Sequence, residues 1–243
     1  MLEQFAPLLF FLVVLLLVGV GIYMQQKHAA ARRQALAALA ADLRWSFDPF
    51  LDGSHDDLYA QFEVFRRGHS RYAYNTLEGT LTIDGRACPC KMGDFTYKVT
   101  SGSGKNRRTT TYYFSYLIMH LPFAGVPALL IRPENLFDKL AGALGFDDID
   151  FESSEFSRKF HVKCSDKRFA YDICHPLMME WLLGLTPSGV PTIDIERGAM
   201  CLTDGSRLWD IDRFRRTMAF AAQFLDRWPD HLTAQLDQRT RSI

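Results

Sequence analysis

The first feature of the chain is an unbroken apolar run at residues 5–24, which contains no charged side chain. A helix rises about 1.5 Å per residue, so this run would extend about 30 Å, the thickness of the hydrocarbon core of a bilayer. A cleaved signal peptide would need a basic start and a shorter apolar stretch, whereas Glu3 is the one charged side chain before the run. The pattern therefore predicts a transmembrane anchor at residues 1–24, in contact with the lipid bilayer through residues 5–24.

A second helical pattern, at residues 25–43, continues directly from the apolar run. Leu36, Leu39 and Leu43 recur at helical spacing and form a narrow apolar stripe among good helix formers. The stripe allows two interpretations: a juxtamembrane helix that docks on its own domain, or a parallel coiled coil that joins two protomers. Because the stripe is shorter than two heptads, the pattern favours docking.

Alternation of apolar and polar positions begins at Tyr72 and is typical of β-strands. Leu77 and Ile83 belong to this alternation, and Asp84-Gly85 is a hairpin signal. The pattern predicts an antiparallel meander of about five strands. The expected strands are residues 72–83, 86–92, 95–99, 109–121 and 128–131.

The rest of the chain mixes helical and strand patterns. The expected helices are residues 57–65, 133–144, 166–174, 176–183 and 211–228, and the expected strands are residues 160–164, 193–196 and 200–202. This order predicts an α+β fold: an N-terminal transmembrane helix followed by a mostly antiparallel sheet packed by helices. The predicted divisions are the anchor, the juxtamembrane helix at 25–43, a soluble domain at 44–229 and a polar, frayed tail at 230–243. A chain that begins at about Arg44 is expected to fold alone.

Charges beside the apolar run predict its orientation. Lys27, Arg32, Arg33 and Arg44 follow the run, and Asp42 opposes them. By the positive-inside rule the domain is predicted to lie on the cytoplasmic side of the cell membrane. The first three of these cations are also expected near anionic headgroups. The five cysteines are an odd number without a disulfide pattern, which agrees with a reducing compartment.

The chain has 28 Lys and Arg residues and 28 acidic residues, but these charges are unevenly distributed. Residues 61–116 hold nine Lys or Arg against four acids, and residues 132–166 hold five against eight. A basic surface with aromatic residues could bind lipid headgroups, nucleic acid or an acidic protein. An ordinary solvated sheet face explains the same pattern. The tyrosines within the basic half are Tyr72, Tyr74, Tyr97, Tyr112 and Tyr113.

Motifs of common chemistries are incomplete in this sequence. Residues 102–105 (Gly-Ser-Gly-Lys) lack the first glycine and the final hydroxyl residue of a phosphate-binding loop. Cys88 and Cys90 would share one face of a strand, so a redox pair or a metal pair are alternatives to simple packing. The acidic residues between 147 and 155 lack the spacing of a calcium loop and are expected to be solvated. The sequence therefore predicts no metal site and no cofactor.

The candidate binding residues lie in the basic half of the chain. His69 stands beside Ser70, which suggests a nucleophile–base pair, although neighbours on a turn rarely point at each other. Residues 101–108 form a basic, Gly/Ser-rich connection between two predicted strands. The candidate binding set is Arg66, Arg67, His69, Arg71, Lys105, Arg107 and Arg108.

Four stretches of the soluble part, at residues 65–71, 140–153, 156–162 and 169–183, resemble a family of bacterial single-pass membrane-anchored proteins without an assigned activity. The resemblance implies the architecture and no catalytic residue. Our first hypothesis is therefore a membrane-tethered binding or scaffold module at the cytoplasmic face, with an anionic lipid or a protein as partner and nucleic acid disfavoured. The alternative is a membrane-anchored hydrolase or transferase with an unconventional site near His69. The sequence leaves the catalytic residues and the oligomeric state open.

Overall fold

The described part of the chain, residues 2–134, 148–186 and 189–242 of a computed structural model, forms eight strands and eight helices. The side chains of residues 2–9 and 105 stay outside the description. In chain order the elements are α1 (Leu2–Leu43), β1 (Ser46–Asp48), α2 (His55–Leu58), α3 (Glu63–Arg66), β2 (His69–Ile83), β3 (Arg86–Ser101), a 3₁₀ turn (Gly104–Asn106), β4 (Arg108–His120), β5 (Leu129–Pro133), α4 (Ser154–Lys159), β6 (Phe160–Cys164), α5 (Lys167–Ile173), α6 (Pro176–Gly184), β7 (Thr192–Glu196), β8 (Ala199–Thr203), α7 (Ile211–Asp226) and α8 (Asp230–Arg241).

The strands join one sheet in the order β1-β2-β3-β4-β8-β7-β5-β6, and each neighbouring pair is antiparallel. The predicted α+β class, with a long apolar N-terminal helix and an antiparallel sheet packed by helices, is confirmed. The division of residues 86–99 into two strands is wrong. Asp94 can be buried in the middle of a single strand, β3, because it has a cationic partner. The placement of β5 in the meander is also wrong, because the β7–β8 hairpin lies between β4 and β5.

The larger core lies between one face of the sheet and the helices α1, α5, α6, α7 and α8. Leu36, Leu39 and Ala40 of α1 are at most 1% exposed within this core. The apolar stripe of α1 therefore docks on its own domain, and it is not available for the alternative coiled coil.

The end of α1 is fixed at one position on the sheet. Arg44 adopts a left-handed conformation (φ 56°), and the Trp45 amide donates to the Ala40 carbonyl oxygen at 2.8 Å, which ends the helix. The Trp45 ring then lies directly on Gly79, where an added Cβ would overlap it. Since Gly79 pairs with Cys90, α1 ends above the middle of β2 and the first half of β3.

The opposite face of the sheet carries a second, aromatic core. Tyr59, Phe62 and Phe65 cover it, and they pack on side chains that include Phe95 and Phe114. The single helix predicted at residues 57–65 is wrong, because α2 and α3 are separate one-turn helices. The turn between them allows all three covering rings to face the sheet.

The residues after Pro229 are not frayed, because they form α8. Leu232 and Leu236 are four residues apart on one helical face, and both are buried in the larger core. The helix predicted at residues 133–144 cannot be compared in the same way, since residues 135–147 lie outside the described residues. Pro133 itself ends β5.

Candidate interaction surface

The position of α1 on the domain depends on one buried ion pair. Arg32 donates from Nε and Nη2 to the two carboxylate oxygens of Asp94, at 2.7 and 2.6 Å, and from Nη1 to the Trp209 carbonyl oxygen at 2.8 Å. The Asp94 side chain is fully buried, and it also accepts from Asn75 and Ser115. Arg32 therefore holds α1 against β3, and its predicted contact with lipid headgroups is wrong.

Two contacts give the direction in which α1 leaves the domain. Trp45 lies on Gly79, at the level of Cys90, and Arg32 lies at the level of Asp94. Towards its N-terminus α1 therefore runs in the direction in which β3 runs to Ser101. From Arg32 the apolar run ends eight residues away, about 12 Å along a helix, whereas Ser101 is seven residues from Asp94, about 23 Å along a strand. This end of the sheet reaches at least as far as residue 24, the end of the apolar run that lies nearer the domain.

We call this end of the sheet, residues 69–72 and 96–113, the sheet tip. Tyrosines are concentrated at its base: Tyr72 and Tyr113 both pair with Thr96, and the rings of Tyr97 and Tyr112 stack with centroids 5.1 Å apart. The exposed fractions of Tyr112 and Tyr113 are 39% and 46%. Tyr74 lies two residues inward, opposite Asp94, with its ring centroid 6.0 Å from that of Tyr72. The sheet thus brings these tyrosines to one level of three strands, a band that has Tyr72, Tyr74 and Tyr113 on the face of α1 and Tyr97 and Tyr112 on the opposite face, where Tyr97 is buried in the aromatic core.

Basic side chains occupy the outer part of the sheet tip. His69 pairs with Lys98 across β2 and β3, and Arg108 pairs with Ser101 across β3 and β4. Together with Arg107 these side chains are exposed. Val99, between them, is 38% exposed, so the tip combines cationic, aromatic and aliphatic groups. Lys98 was not in the predicted binding set, although its position near the basic end of a predicted strand could have indicated it.

The remaining residues of the predicted set lie elsewhere or have structural roles. Arg71 donates to Asp56 at 2.6 Å and to the carbonyl oxygens of Arg66 and Gly68 at 3.2 and 2.9 Å, which fixes the turn before β2. Arg67 points inward towards Gly205, and its Nη2 is buried and has no hydrogen-bond partner among the described residues. The Arg66 side chain is exposed beside this turn. Residue 105 is in the turn of the tip, but its side chain is not described.

His69 and Ser70 do point at each other. His69 Nδ1 lies 3.0 Å from Ser70 Oγ, and His69 Nε2 lies 2.9 Å from Thr100 Oγ1. All hydrogen bonds of the ring in the described residues are to hydroxyl groups, so no carboxylate orients it there as in a Ser-His-Asp triad. Both side chains are also exposed to water. The alternative of a hydrolase or transferase near His69 stays a prediction.

The cysteine pair lies in the larger core. Cys88 and Cys90 are buried, and burial raises the pKa of both thiols, that of Cys90 to about 12. A thiol with a raised pKa is a poor nucleophile and a poor metal ligand, which favours the packing interpretation. Among the described residues, no group of at least three His, Cys, Asp or Glu side chains has the arrangement of a metal site.

One buried histidine was missed by the sequence analysis. His55 lies in the aromatic core, with ring centroids 4.6 Å from Phe65 and 4.7 Å from Tyr116. Burial, with Lys91 as a second cause, lowers the pKa of His55 to about 3. The ring is therefore neutral at physiological pH and serves as part of the core. Only the fold could show this role, because the rings that surround His55 come from α3, β3 and β4.

Comparisons with known proteins yield a fold similarity without an activity. No protein-family model and no curated protein matches the chain. The crystal structure of the mycobacterial trehalose monomycolate transport factor A, TtfA, is similar with a TM-score of 0.49 and 10% sequence identity, over 81% of this chain and 96% of that chain. The resemblance to a bacterial membrane-anchored family therefore stays a prediction. Within the described residues, α1 alone has the length and apolar composition to cross a membrane, which suggests membrane anchoring.

Proposed function

We propose that this protein is a membrane-tethered binding module whose sheet tip contacts anionic lipid headgroups at the cytoplasmic face. The observation that carries the proposal is the direction of α1. The helix leaves the domain on the side of the sheet tip, so a membrane crossed by residues 5–24 would lie against the tip. Tyrosine and basic residues are the types that favour this interface.

The tyrosine band and the outer basic residues of the sheet tip fit two different depths of the membrane interface. The tyrosine band has amphipathic rings that favour the boundary between headgroups and hydrocarbon. Lys98, Arg107 and Arg108 have long side chains that can extend to phosphate groups while their aliphatic parts stay against the tyrosines. Residues 25–31 add about 12 Å of helix between Arg32 and the apolar run, and the sheet extends about 23 Å from Asp94 to Ser101, so this segment does not hold the tip away from the bilayer.

We expect the C-terminus to be cytoplasmic. The cations that directly follow the apolar run favour that side by the positive-inside rule. A reporter enzyme that is active only in the cytoplasm, fused after Ile243, should therefore be active. A second fusion, to a reporter that works only on the other side, is the control. Activity of that second fusion alone would contradict the proposed orientation.

We expect replacement of Lys105, Arg107 and Arg108 by Ser to weaken the contact of the tip with anionic lipid. Each charge near an anionic surface contributes about 1 kcal/mol, and this attraction is screened within about 10 Å at 0.1 M salt. The measurement uses the full chain in nanodiscs, with an environment-sensitive dye on an Asn106→Cys variant. The emission should shift to the blue when anionic lipid replaces neutral lipid. The triple variant should lose most of that shift, and salt should weaken it in the parent.

A matched control is available at the opposite end of the sheet. Arg197, Arg239 and Arg241 are exposed and lie near the end formed by His120, Ala199 and the loop that α8 contacts. Replacement of these three by Ser removes the same charge and should leave the blue shift unchanged. Both triple variants should melt within a few degrees of the parent, because exposed substitutions usually change stability by less than about 0.5 kcal/mol. Equal loss in both variants would mean that net charge, and not the tip, governs the contact.

A further inference from the structure

A groove of about 740 Å³ lies between the C-terminal end of α6 and the N-terminal half of α7. Ligand pockets of proteins commonly have volumes of about 300–1,000 Å³. The groove shares no residue with the sheet tip, so an inference about it does not rest on the function proposed above.

The floor of the groove is apolar and aromatic. Trp181 and Leu185 present partly exposed apolar surface, and the buried rings of Phe220 and Trp209 lie behind them, with the Trp181 and Phe220 centroids 5.1 Å apart. Leu208, at the edge, is 36% exposed. Such a floor offers apolar contact area that a hydrocarbon group can bury.

Arginines form one wall of the groove. Arg213 and Arg207 both bind Asp204, at 3.0 and 3.2 Å, and Asp204 accepts from the Trp209 indole nitrogen as well. One buried carboxylate is thus shared by two guanidinium groups. The Arg213 side chain is 11% exposed and also donates from Nη1 to the Gly189 carbonyl oxygen at 3.3 Å, whereas the Arg207 side chain is 57% exposed. Arg216 is 63% exposed and lies 3.8 Å from Asp210. The wall therefore retains donors and positive charge for an anionic group.

The groove begins beside the helix that leads to the apolar run. Trp209, in its floor, has a carbonyl oxygen that accepts from Arg32, and Arg32 is about 12 Å along α1 from the end of that run. A molecule from a bilayer at residues 5–24 would have a short path to the groove. We infer that the groove binds a single-chain amphiphile with an anionic head, a carboxylate or a phosphate, that has the hydrocarbon chain on the aromatic floor and the head at the arginine wall.

Photo-crosslinking of the full chain in nanodiscs of neutral phospholipid tests this inference. The probes are a fatty acid, a lysophosphatidic acid and an uncharged monoacylglycerol, each with a diazirine on the chain, and adducts are mapped by mass spectrometry. We expect the two anionic probes to label the peptides that contain Trp181, Leu208 and Phe220, and the uncharged probe to label them at least about fivefold less. The relative yields of the two anionic probes show whether carboxylate or phosphate is preferred. All three probes should label residues 10–24, which serve as an internal reference.

Two variants make the result specific. Ala219 lies in the groove on an exposed turn of α7, so Ala219→Trp should fill the groove and lower groove labelling about tenfold while labelling of residues 10–24 stays constant. Asp212→Trp, at an exposed position of α7 outside the groove, is the matched control. Arg216→Glu keeps the shape and should lower labelling by the anionic probes about fivefold, with no change for the uncharged probe.

Three outcomes would overturn the inference. These are adducts of the anionic probes confined to residues 10–24, equal groove labelling by charged and uncharged probes, and parental labelling in Ala219→Trp. If Ala219→Trp does not fold, as judged by its thermal unfolding, Arg216→Glu still decides the role of charge and competition by unlabelled fatty acid decides whether the site is saturable.

Discussion

A chain that begins at Arg44 is expected to fail to fold, whereas a chain that begins at Gln25 should be soluble and unfold cooperatively. The cut at Arg44 removes Leu36 and Leu39 from the larger core. Burial of a leucine side chain contributes about 1.5–3 kcal/mol, and the cut also leaves the buried Asp94 without its cation. These losses together are comparable with the whole stability of a typical domain, about 5–15 kcal/mol.

A third chain, beginning at Gln34, separates the two contributions. It keeps the buried leucines of α1 and lacks Arg32, so it should fold with a lower melting temperature than the chain from Gln25. Thermal unfolding followed by circular dichroism measures all three. A cooperative transition of the Arg44 chain at the temperature of the Gln25 chain would show that α1 is dispensable. The boundary of the soluble domain at residue 44 stays a prediction of the sequence, and the comparison of the three chains tests it.

Replacement of Arg32 by Ala is expected to lower the free energy of unfolding by about 3–5 kcal/mol. The Asp94 carboxylate is fully buried, and without Arg32 it would keep only the neutral donors Asn75 and Ser115. Arg32→Lys should lower the free energy of unfolding by less than Arg32→Ala does. It should not reach the stability of the parent, since one ammonium group cannot reproduce both bonds of the planar guanidinium group. The measurement is a urea titration of the full chain in mild detergent, followed by tryptophan fluorescence.

Two further variants identify the ion pair as the cause. Arg33 is adjacent to Arg32 and exposed, so Arg33→Ala should change stability by less than about 0.5 kcal/mol. The double variant Arg32→Ala with Asp94→Asn removes the buried charge together with its partner. It should therefore be more stable than Arg32→Ala alone. If the double variant loses as much as the sum of the two single variants, the ion pair does not explain the effect.

The candidate surface shows how far a sequence pattern can lead. The basic and tyrosine residues between positions 61 and 116 were visible as a group, and the sheet brings most of the tyrosines into one band. The sequence did not show which of the arginines pair with an acidic side chain and which stay exposed. Arg71 and Arg107 look alike in the sequence, but Arg71 lies next to Asp56, fifteen residues away along the chain, and Arg107 remains in an exposed turn. Ion pairs between distant residues depend on the folded backbone, and local spacing does not encode them.

No pattern in the sequence predicted the groove between α6 and α7. Trp181 and Arg213 belong to two different helices, which the sequence predicted separately at residues 176–183 and 211–228. They line one groove because the two helices pack side by side on the sheet. A groove is a property of the space between elements, so it appears only when their packing is known.

The sequence by itself determined the apolar N-terminal helix, the α+β class and the local elements whose periodicity is regular. These features depend on neighbours within a few residues, through helix rise, alternation along a strand and turn chemistry. Only the tertiary structure decided that α1 is part of the core, that β7 and β8 lie between β4 and β5, and that the sheet tip points the same way as the apolar run. The reason is physical. The free energy of pairing Arg32 with Asp94 comes from a contact between residues that are 62 positions apart, and the burial of Leu36 depends likewise on the folded sheet. A pattern of neighbouring residues does not contain such contacts.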